Sequence, residues 1–402
     1  MNKTRFFLTL LVVLAATMPA AAHDFVNNNI YYNITSNNTV EVTYCDGASE
    51  GTSYVGDVNI PSSVNYNGKS YQVTSIGNNA FKHCTSLTSV TFPGTLKTIG
   101  DHAFWYCYQL TSVSFPNSLK TIEYAAFANC GMESLIIPNS VTTIYPDAFY
   151  GCNSLTSVTI GVSVSTLGER AFANCAALQT VNWNATLCSN DYYTSTGPFK
   201  GCNAITTFNI GDNVTRIPDC LCFNLRNLPS VTIPDKVTSL GLKCFAKCYA
   251  LNTVIIGKGV TTFADSVFHN CTALETILPR MTAPASLNYG IGIFDGVNKQ
   301  ECMLFVPLGT LSQYQNTMPW KEFLYIEQQG GDVNCDGSVT AADITAIYDV
   351  LLGNNSNFEA TADVNGDGVV TAADVTCVYD ILLGQNVTVG MLTKAIKRLV
   401  LD

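Results

Sequence analysis

The chain has 402 residues, of which 47% are apolar, which argues against wholesale disorder. Charged residues make up only 12%, about half the ~25% usual for soluble domains, so the polar surface must come from Thr, Ser and Asn. The net charge is −10, and an acidic chain without a basic patch argues against nucleic acid as a partner.

Lys3 and Arg5 precede an apolar run from Phe6 to Met18, and Pro19-Ala20-Ala21-Ala22 offers small residues for cleavage. Residues 1–22 therefore read as a secretory signal peptide, the run being shorter than the ~20 residues of a membrane span. No later stretch is long and apolar enough to cross a membrane. The expectation is a soluble mature chain that is extracellular, on the cell surface or in a periplasm.

The middle of the chain is periodic. Phe81, Phe104, Phe127, Phe149, Phe172, Phe199, Phe223, Phe245 and Phe268 lie 22 to 27 residues apart, a solenoid period. One unit reads Ile99-Gly100-x-x-Ala103-Phe104-x-x-Cys107-x-x-Leu110-x-x-Val113-x-Phe115-Pro116. Leu110-x-x-Val113-x-Phe115 matches the core of a leucine-rich repeat, and its last three positions alternate as a strand does. Leu119 and Ile122 form the opposite wall, and Ala-Phe-x-x-Cys suits a short helical turn with Phe plugging the core. The expected fold is mainly β with short helical turns, a right-handed repeat solenoid of about nine units.

This unit resembles the BspA-like leucine-rich repeat of bacteria, over residues 73–279. The resemblance implies a secreted or surface protein that binds partners without catalysis. Residues 23–72 read as a β-rich amino cap, which an array needs because an end repeat would expose its core. Residues 280–329 read as the other cap, with Leu304-Phe305-Val306-Pro307 as its last strand and Tyr314, Trp320, Phe323 and Ile326 closing the end.

Cys84, Cys107, Cys130, Cys152, Cys175, Cys202, Cys248 and Cys271 all lie three residues after the repeat Phe. In a secreted protein cysteines suggest disulfides. Equivalent side chains of a stacked array point the same way, however, whereas a disulfide needs two Cβ atoms aimed at each other. The ladder therefore reads as buried thiols acting as small hydrophobes. Cys222 and Cys244 read as occupants of the Ala slot before Phe. Cys45, Cys188, Cys220, Cys302, Cys335 and Cys377 are off the ladder, and bridges among them stay open.

The carboxyl end carries two loops with calcium spacing. The first has Asp332, Asn334, Asp336, Ser338, Thr340 and Asp343 at positions 1, 3, 5, 7, 9 and 12; the second has Asp363, Asn365, Asp367, Val369, Thr371 and Asp374. Calcium takes six to eight oxygens, position 7 supplying a backbone carbonyl and the Gly after position 5 making the sharp turn. Val339 and Val370 at position 8 can anchor the loops. Each loop runs into an amphipathic helix, with Ile344, Ile347, Tyr348, Leu351 and Leu352 at helical spacing before Gly353, and Val375, Val378, Tyr379, Leu382 and Leu383 before Gly384. Thr340 with Asp343 and Thr371 with Asp374 fit helix N-caps with an acid three residues later. Residues 332–384 hold nine acids and no Lys or Arg, so cations must neutralise them.

A 31-residue duplicate of loop plus outgoing helix, closed by Asp, resembles the type I dockerin over residues 330–385. The resemblance implies two calcium ions and docking to a cohesin module of a scaffolding protein in polysaccharide-degrading assemblies. The positions that meet the partner are Ala341, Ala342, Tyr348 and Asp349, and in the second copy Ala372, Ala373, Tyr379 and Asp380. The two sets are identical, so either half could dock after a half-turn. The tail, 386–402, has no assigned role.

Catalytic motifs are missing from the sequence, and acids are sparse in the repeats. Outward strand positions are mostly hydroxyls, such as Thr88, Ser89, Thr156 and Thr159. Trp105, Tyr106, Tyr108 and Tyr150 on nearby turns are a candidate surface for a glycan or protein ligand. The extra residues between Phe172 and Phe199 suggest a protruding loop with Asp191, Tyr192 and Tyr193. Three readings follow: a non-catalytic binding protein docked to a cohesin-bearing assembly, a freestanding adhesin with a structural calcium tail, and a carbohydrate-active subunit.

Overall fold

The structure, a computed structural model, describes residues 23–44, 54–188, 196–307, 309–328, 330–331, 333–334, 340–354, 358, 362–364 and 369–382. The expected signal peptide, the loop bearing Asp191, Tyr192 and Tyr193, and the tail lie outside the described residues. The chain divides into two units, Met1–Val181 with Cys188–Ala204, and Asn182–Leu187 with Ile205–Asp402.

The first unit begins with an antiparallel sheet of Phe25–Asn27, Ile30–Ile34 and Thr39–Thr43. Its first hairpin turns through Asn28 and Asn29, both at positive φ (49° and 60°), the pair of left-handed residues a two-residue hairpin requires. Thr39–Thr43 then pairs in parallel with Lys69–Ile76, and from there the array climbs by parallel pairing. The two-residue strands Thr98–Ile99, Thr121–Ile122, Thr143–Ile144 and Thr166–Leu167 stack in register, Ile on Ile, with Thr outward. The opposite wall is built from longer strands, such as Ser134–Ile136 on Ser157–Ile160.

The Ala-Phe-x-x-Cys segment between them is a run of tight turns, with bonds from Ala103 N to Gly100 O and from Cys107 N to Phe104 O. Two residues per coil sit in the left-handed region, for example His102 and Tyr106, or Ala125 and Asn129. Gly151 takes the second place in its coil at φ +68°, where glycine carries no Cβ penalty. These turns throw the Phe inward. Phe81, Phe104, Phe127, Phe149, Phe172 and Phe199 are all buried, and successive rings stack at centroid distances of 4.7, 4.8, 5.5, 4.9 and 5.4 Å. Tyr54 caps the stack at 4.3 Å from Phe81.

The ladder cysteines have a definite partner. Each thiol donates to the carbonyl of the Phe one coil earlier: Cys107 to Phe81, Cys130 to Phe104, Cys152 to Phe127, Cys175 to Phe149 and Cys202 to Phe172, at 2.9 to 3.3 Å. None of these five forms a disulfide. A small buried residue with a weak donor thus adds a second bond to a carbonyl that, at Phe81, Phe104 and Phe127, already accepts the turn's own Cys N–H.

The expected strand through Val113 does not form. That stretch holds its neighbours by one bridge, Thr91 to Ser114, and by the bond from Glu133 N to Thr111 O. The next coil is a residue shorter after its Cys, and Gly131 runs so close that a Cβ there would lie 2.1 Å from the Tyr108 carbonyl oxygen. Val113 is accordingly half-exposed, where Val90 and Val158 are buried.

The second unit repeats the scheme. One wall stacks Arg216–Ile217, Ser239–Leu240, Thr262–Phe263 and Asn288–Tyr289; the other stacks Ser230–Ile233, Thr253–Ile256, Thr276–Pro279 and Met303–Val306. Its first coil departs from the sequence reading. Cys222, not Phe223, fills the plug slot: Cys222 N donates to Cys244 O (2.8 Å) just as Phe104 N donates to Ala126 O (2.7 Å). Leu225 takes the cysteine slot, Cys244 keeps the Ala slot, and Phe223 is left half-buried under the Lys247 ammonium (5.4 Å). The reason is Arg226. In the Phe223 register a guanidinium would occupy the buried cysteine position, and burying an unpaired charge costs more than displacing one ring. The register slips by one residue, and the ring stack resumes at Phe245, Phe268 and Phe294.

The last strand of this wall is Tyr325–Gln328, which pairs in parallel with Met303–Val306, so Leu304–Val306 is not terminal as the sequence suggested. Between them lie a short helix, α1 (Leu311–Asn316), and a turn at Trp320–Glu322; both Tyr314 and Trp320 are fully buried, Trp320 packing on Phe263 and Phe294 and Tyr314 packing on Trp320. The Tyr314 hydroxyl donates to Met281 O (2.7 Å). Beyond it the described residues include two longer helices, α2 (Ala341–Leu351) and α3 (Ala372–Leu382).

Candidate functional site

Both carboxyl-terminal helices start on the same device. Thr340 Oγ1 accepts from Ala342 N (3.1 Å), while the Asp343 carboxylate accepts from Thr340 N (2.7 Å), a reciprocal capping box. Thr371, Ala373 and Asp374 repeat it at the same distances. Asp343 reaches further: its other oxygen accepts from Val333 N (2.7 Å) and Asn334 N (3.1 Å). The position-12 carboxylate therefore ties the end of the first loop to its beginning. α2 ends at Gly353, which adopts φ +70°.

Asp343 and Asp374 are both fully buried. No Lys or Arg lies anywhere in 332–384 to offset them. Backbone N–H groups meet the Asp343 carboxylate, and the side chains that the sequence carries at the loop positions are hard oxygen donors, so these residues fit calcium. Asn334, Thr340, Asp343, Asp363, Val369, Thr371 and Asp374 are described; Asp332, Asp336, Ser338, Asn365 and Asp367 lie outside the described residues.

The helices pack through Val333, Ile344, Ala346, Ile347, Ala362, Val364, Val375 and Val378, with Val370 against this core as expected of position 8. Val333 and Val364, at position 2 of each loop, were not singled out in the sequence, although their hydrophobicity inside a polar loop was the available signal. The helical periodicity also overstated the packed face. Tyr348, Leu351, Leu352 and Tyr379 are 41 to 71% exposed. Ala341, Ala342, Ala372 and Ala373 are exposed too, and Asp349 is partly so; the Asp380 side chain lies outside the described residues. Ala341, Ala342 and Tyr348, and likewise Ala372, Ala373 and Tyr379, are thus left uncovered beside the two capping boxes.

In the first unit, the structure brings Trp105, Tyr106 and Tyr108 together, with ring centroids 4.6 and 5.5 Å apart. Sequence reasoning missed four further members. His83 packs on Trp105 and Tyr106 (5.3 and 5.2 Å), and His102 on Trp105 and Tyr124 (both 5.1 Å). Lys82 lies 5.1 Å over the Trp105 ring. The signal was a shared repeat position: His83 and Tyr106 each sit two residues after a repeat Phe. Tyr150 sits apart from these rings and accepts from Asn174 Nδ2 (2.8 Å). Burial is the main cause that lowers the His102 pKa.

A second feature of this unit is an acidic groove of about 400 Å3 lined by Glu41, Asp101 and Glu123. Burial, and then the neighbouring Asp101, push the Glu123 carboxyl up. Among the described residues no three metal-ligating side chains cluster, and no helix is long and apolar enough to cross a membrane.

No curated protein matches the chain. Among solved structures it is similar to a leucine-rich repeat protein from Bacteroides ovatus, with 25% identity over 71% of this chain and 79% of that one and a TM-score of 0.43. It is also similar to the T. pallidum leucine-rich repeat protein, with 25% identity over 56% of this chain and 90% of that one and a TM-score of 0.40. The model of the dockerin type I domain, a domain that binds calcium and cohesins, matches residues 330–383. The model of the BspA type leucine-rich repeat region matches six copies over residues 74–196 and 194–289, more than half of the sequence. The chain belongs to the BspA-type leucine-rich repeat family and carries a dockerin type I domain near its carboxyl end.

Proposed function

We propose that this is a secreted, non-catalytic binding protein whose repeats hold a ligand while its dockerin fastens it to a cohesin-bearing extracellular assembly. The observation that carries this is the duplicated loop end, with two buried carboxylates, two capping boxes and exposed residues repeated from one helix to the next. Each loop takes one calcium ion, through Asp332, Asn334, Asp336, Ser338, Thr340 and Asp343 and through their counterparts Asp363 to Asp374. The cation offsets the acidic charge and fixes the helix starts. Ala341, Ala342, Tyr348 and Asp349, or Ala372, Ala373, Tyr379 and Asp380, then present one face to a cohesin.

On the repeats, the Trp105, Tyr106 and Tyr108 cluster beside rows of outward hydroxyls supports a glycan or protein ligand in an assembly that degrades polysaccharide. Rings of this kind combine apolar area with polar tips at low conformational cost. The docking reading is tested by capture on an immobilised type I cohesin with calcium and then with chelator. Retention only with calcium is expected. The ligand surface is tested on a glycan array with Trp105→Ala and Tyr108→Ala, which are expected to remove binding without altering cohesin capture.

A further inference from the structure

An exposed stripe runs along each of the two carboxyl-terminal helices. On α2, Ala341, Thr345, Tyr348 and Leu352 are exposed and recur at intervals of three and four residues, so they share one side of the helix. Asp349, partly exposed, lies four residues on from Thr345 and borders that stripe. On α3, Ala372, Thr376 and Tyr379 repeat the exposed positions, and the sequence places Asp380 directly after Tyr379.

The polar groups beside the tyrosines are acceptors. Thr345 Oγ1 donates to Ala341 O (3.3 Å) and Thr376 Oγ1 to Ala372 O (3.1 Å), so each hydroxyl uses its proton inside its own helix and turns only lone pairs outward. The charge has the same sense. Six of the nine acids in 332–384 stand at loop positions 1, 5 and 12, where two calcium ions leave a balance of −2. The other three are Asp349, Glu359 and Asp380, with no Lys or Arg in 332–384 to offset them. Two of the three carboxylates that calcium does not use therefore stand next to the exposed tyrosines.

We propose that this dockerin takes a cohesin whose docking face presents Lys or Arg around an apolar centre. The proposal rests on the docking reading and adds to it the sign of the partner's charge. Asp349, or Asp380 in the other orientation, meets a cation at the rim. The Thr hydroxyl accepts from a donor of the partner, and the Tyr and Ala side chains pack on the centre. An acidic face of this kind repels nucleic acid and anionic lipid, so charge selects a protein with a basic rim.

The test uses the full chain in calcium, titrated with type I cohesins that differ in the charge around the docking face. Cohesins with a Lys- and Arg-bearing rim are expected to bind at least about tenfold more tightly than those with an Asp- and Glu-bearing rim. Raising NaCl from about 50 mM to about 500 mM is expected to weaken the first group and strengthen the second. Asp349→Asn combined with Asp380→Asn removes the charge at nearly constant shape and is expected to shrink the difference to about threefold or less. Asp349→Lys combined with Asp380→Lys is expected to reverse the order of preference. Both positions fall in the last turn of their helices, where a cation suits the helix dipole, so the module keeps its fold, which thermal unfolding in calcium checks. Equal affinity whatever the rim charge, or a preference that neither salt nor the double substitutions change, overturns the proposal and leaves the docking reading standing. Binding to no cohesin of either kind overturns both.

Discussion

Phe127 and Phe223 occupy the same place in the sequence repeat, and the structure assigns them different energies. Phe127 is fully buried, with Phe104 and Phe149 stacked on either side at 4.8 and 5.5 Å and Phe115 edge-on at 5.4 Å. Phe127→Ala removes that burial and leaves a cavity that rigid coils cannot close, a loss of about 4 kcal/mol, to which each stacked pair contributes roughly 0.5–1.5 kcal/mol. Phe223 is half-buried beside Lys247, so Phe223→Ala forfeits partial apolar area and one exposed cation–π contact, about 1 kcal/mol. Native-state hydrogen exchange on the amides of each altered coil is the suitable assay, because a chain of more than one unit has no single unfolding free energy. Equal losses at the two positions would refute the slipped register, and with it the role given to Cys222.

Burial pushes the Cys130, Cys222, Cys244 and Cys248 thiols well above their ordinary range. The folded state thus favours the protonated thiol, and the stability this gives is complete below the unfolded-state value of about 8.5 and declines as pH rises past it. Thermal unfolding between pH 7 and 10 should show that decline, and Cys130→Ala with Cys248→Ala should flatten it; an unchanged slope would contradict the thiol account. Asp332→Ala combined with Asp363→Ala should unfold residues 330–385 and leave the repeats folded, so that calorimetry shows one transition lost. An unaltered calorimetric profile would count against calcium-dependent folding. Thr340→Ala, which removes one cap bond, should cost α2 about 1 kcal/mol, read as faster exchange at Ala342 and Asp343.

The periodic elements were legible because each coil repeats the same burial problem. The Phe spacing, the thiol ladder and the Val/Ile alternation all follow from one side chain having to fill one slot. The dockerin was legible because its duplicated loop and helix fix residue type and spacing together. What the spacing concealed was competition between neighbours. Arg226 could not be buried, so the coil slipped and Cys222 replaced Phe223. Gly131 shortened a coil, and Val113 lost its strand. His83, His102 and Tyr124 were unremarkable one by one and became a cluster with Trp105 only when successive coils stacked. Tyr348, Leu351 and Leu352 fit a helical apolar face, yet that face is exposed because the core forms through Ile344, Ala346 and Ile347 instead.

The most direct test of the binding account is isothermal titration of the full chain with a type I cohesin, in calcium and after chelation. The account predicts saturable binding in calcium, retained when either Tyr348→Ala or Tyr379→Ala is made alone and lost when both are combined, because the two halves carry the same exposed residues. Binding that survives chelation, or no binding in calcium to cohesins encoded by the source organism, would contradict it.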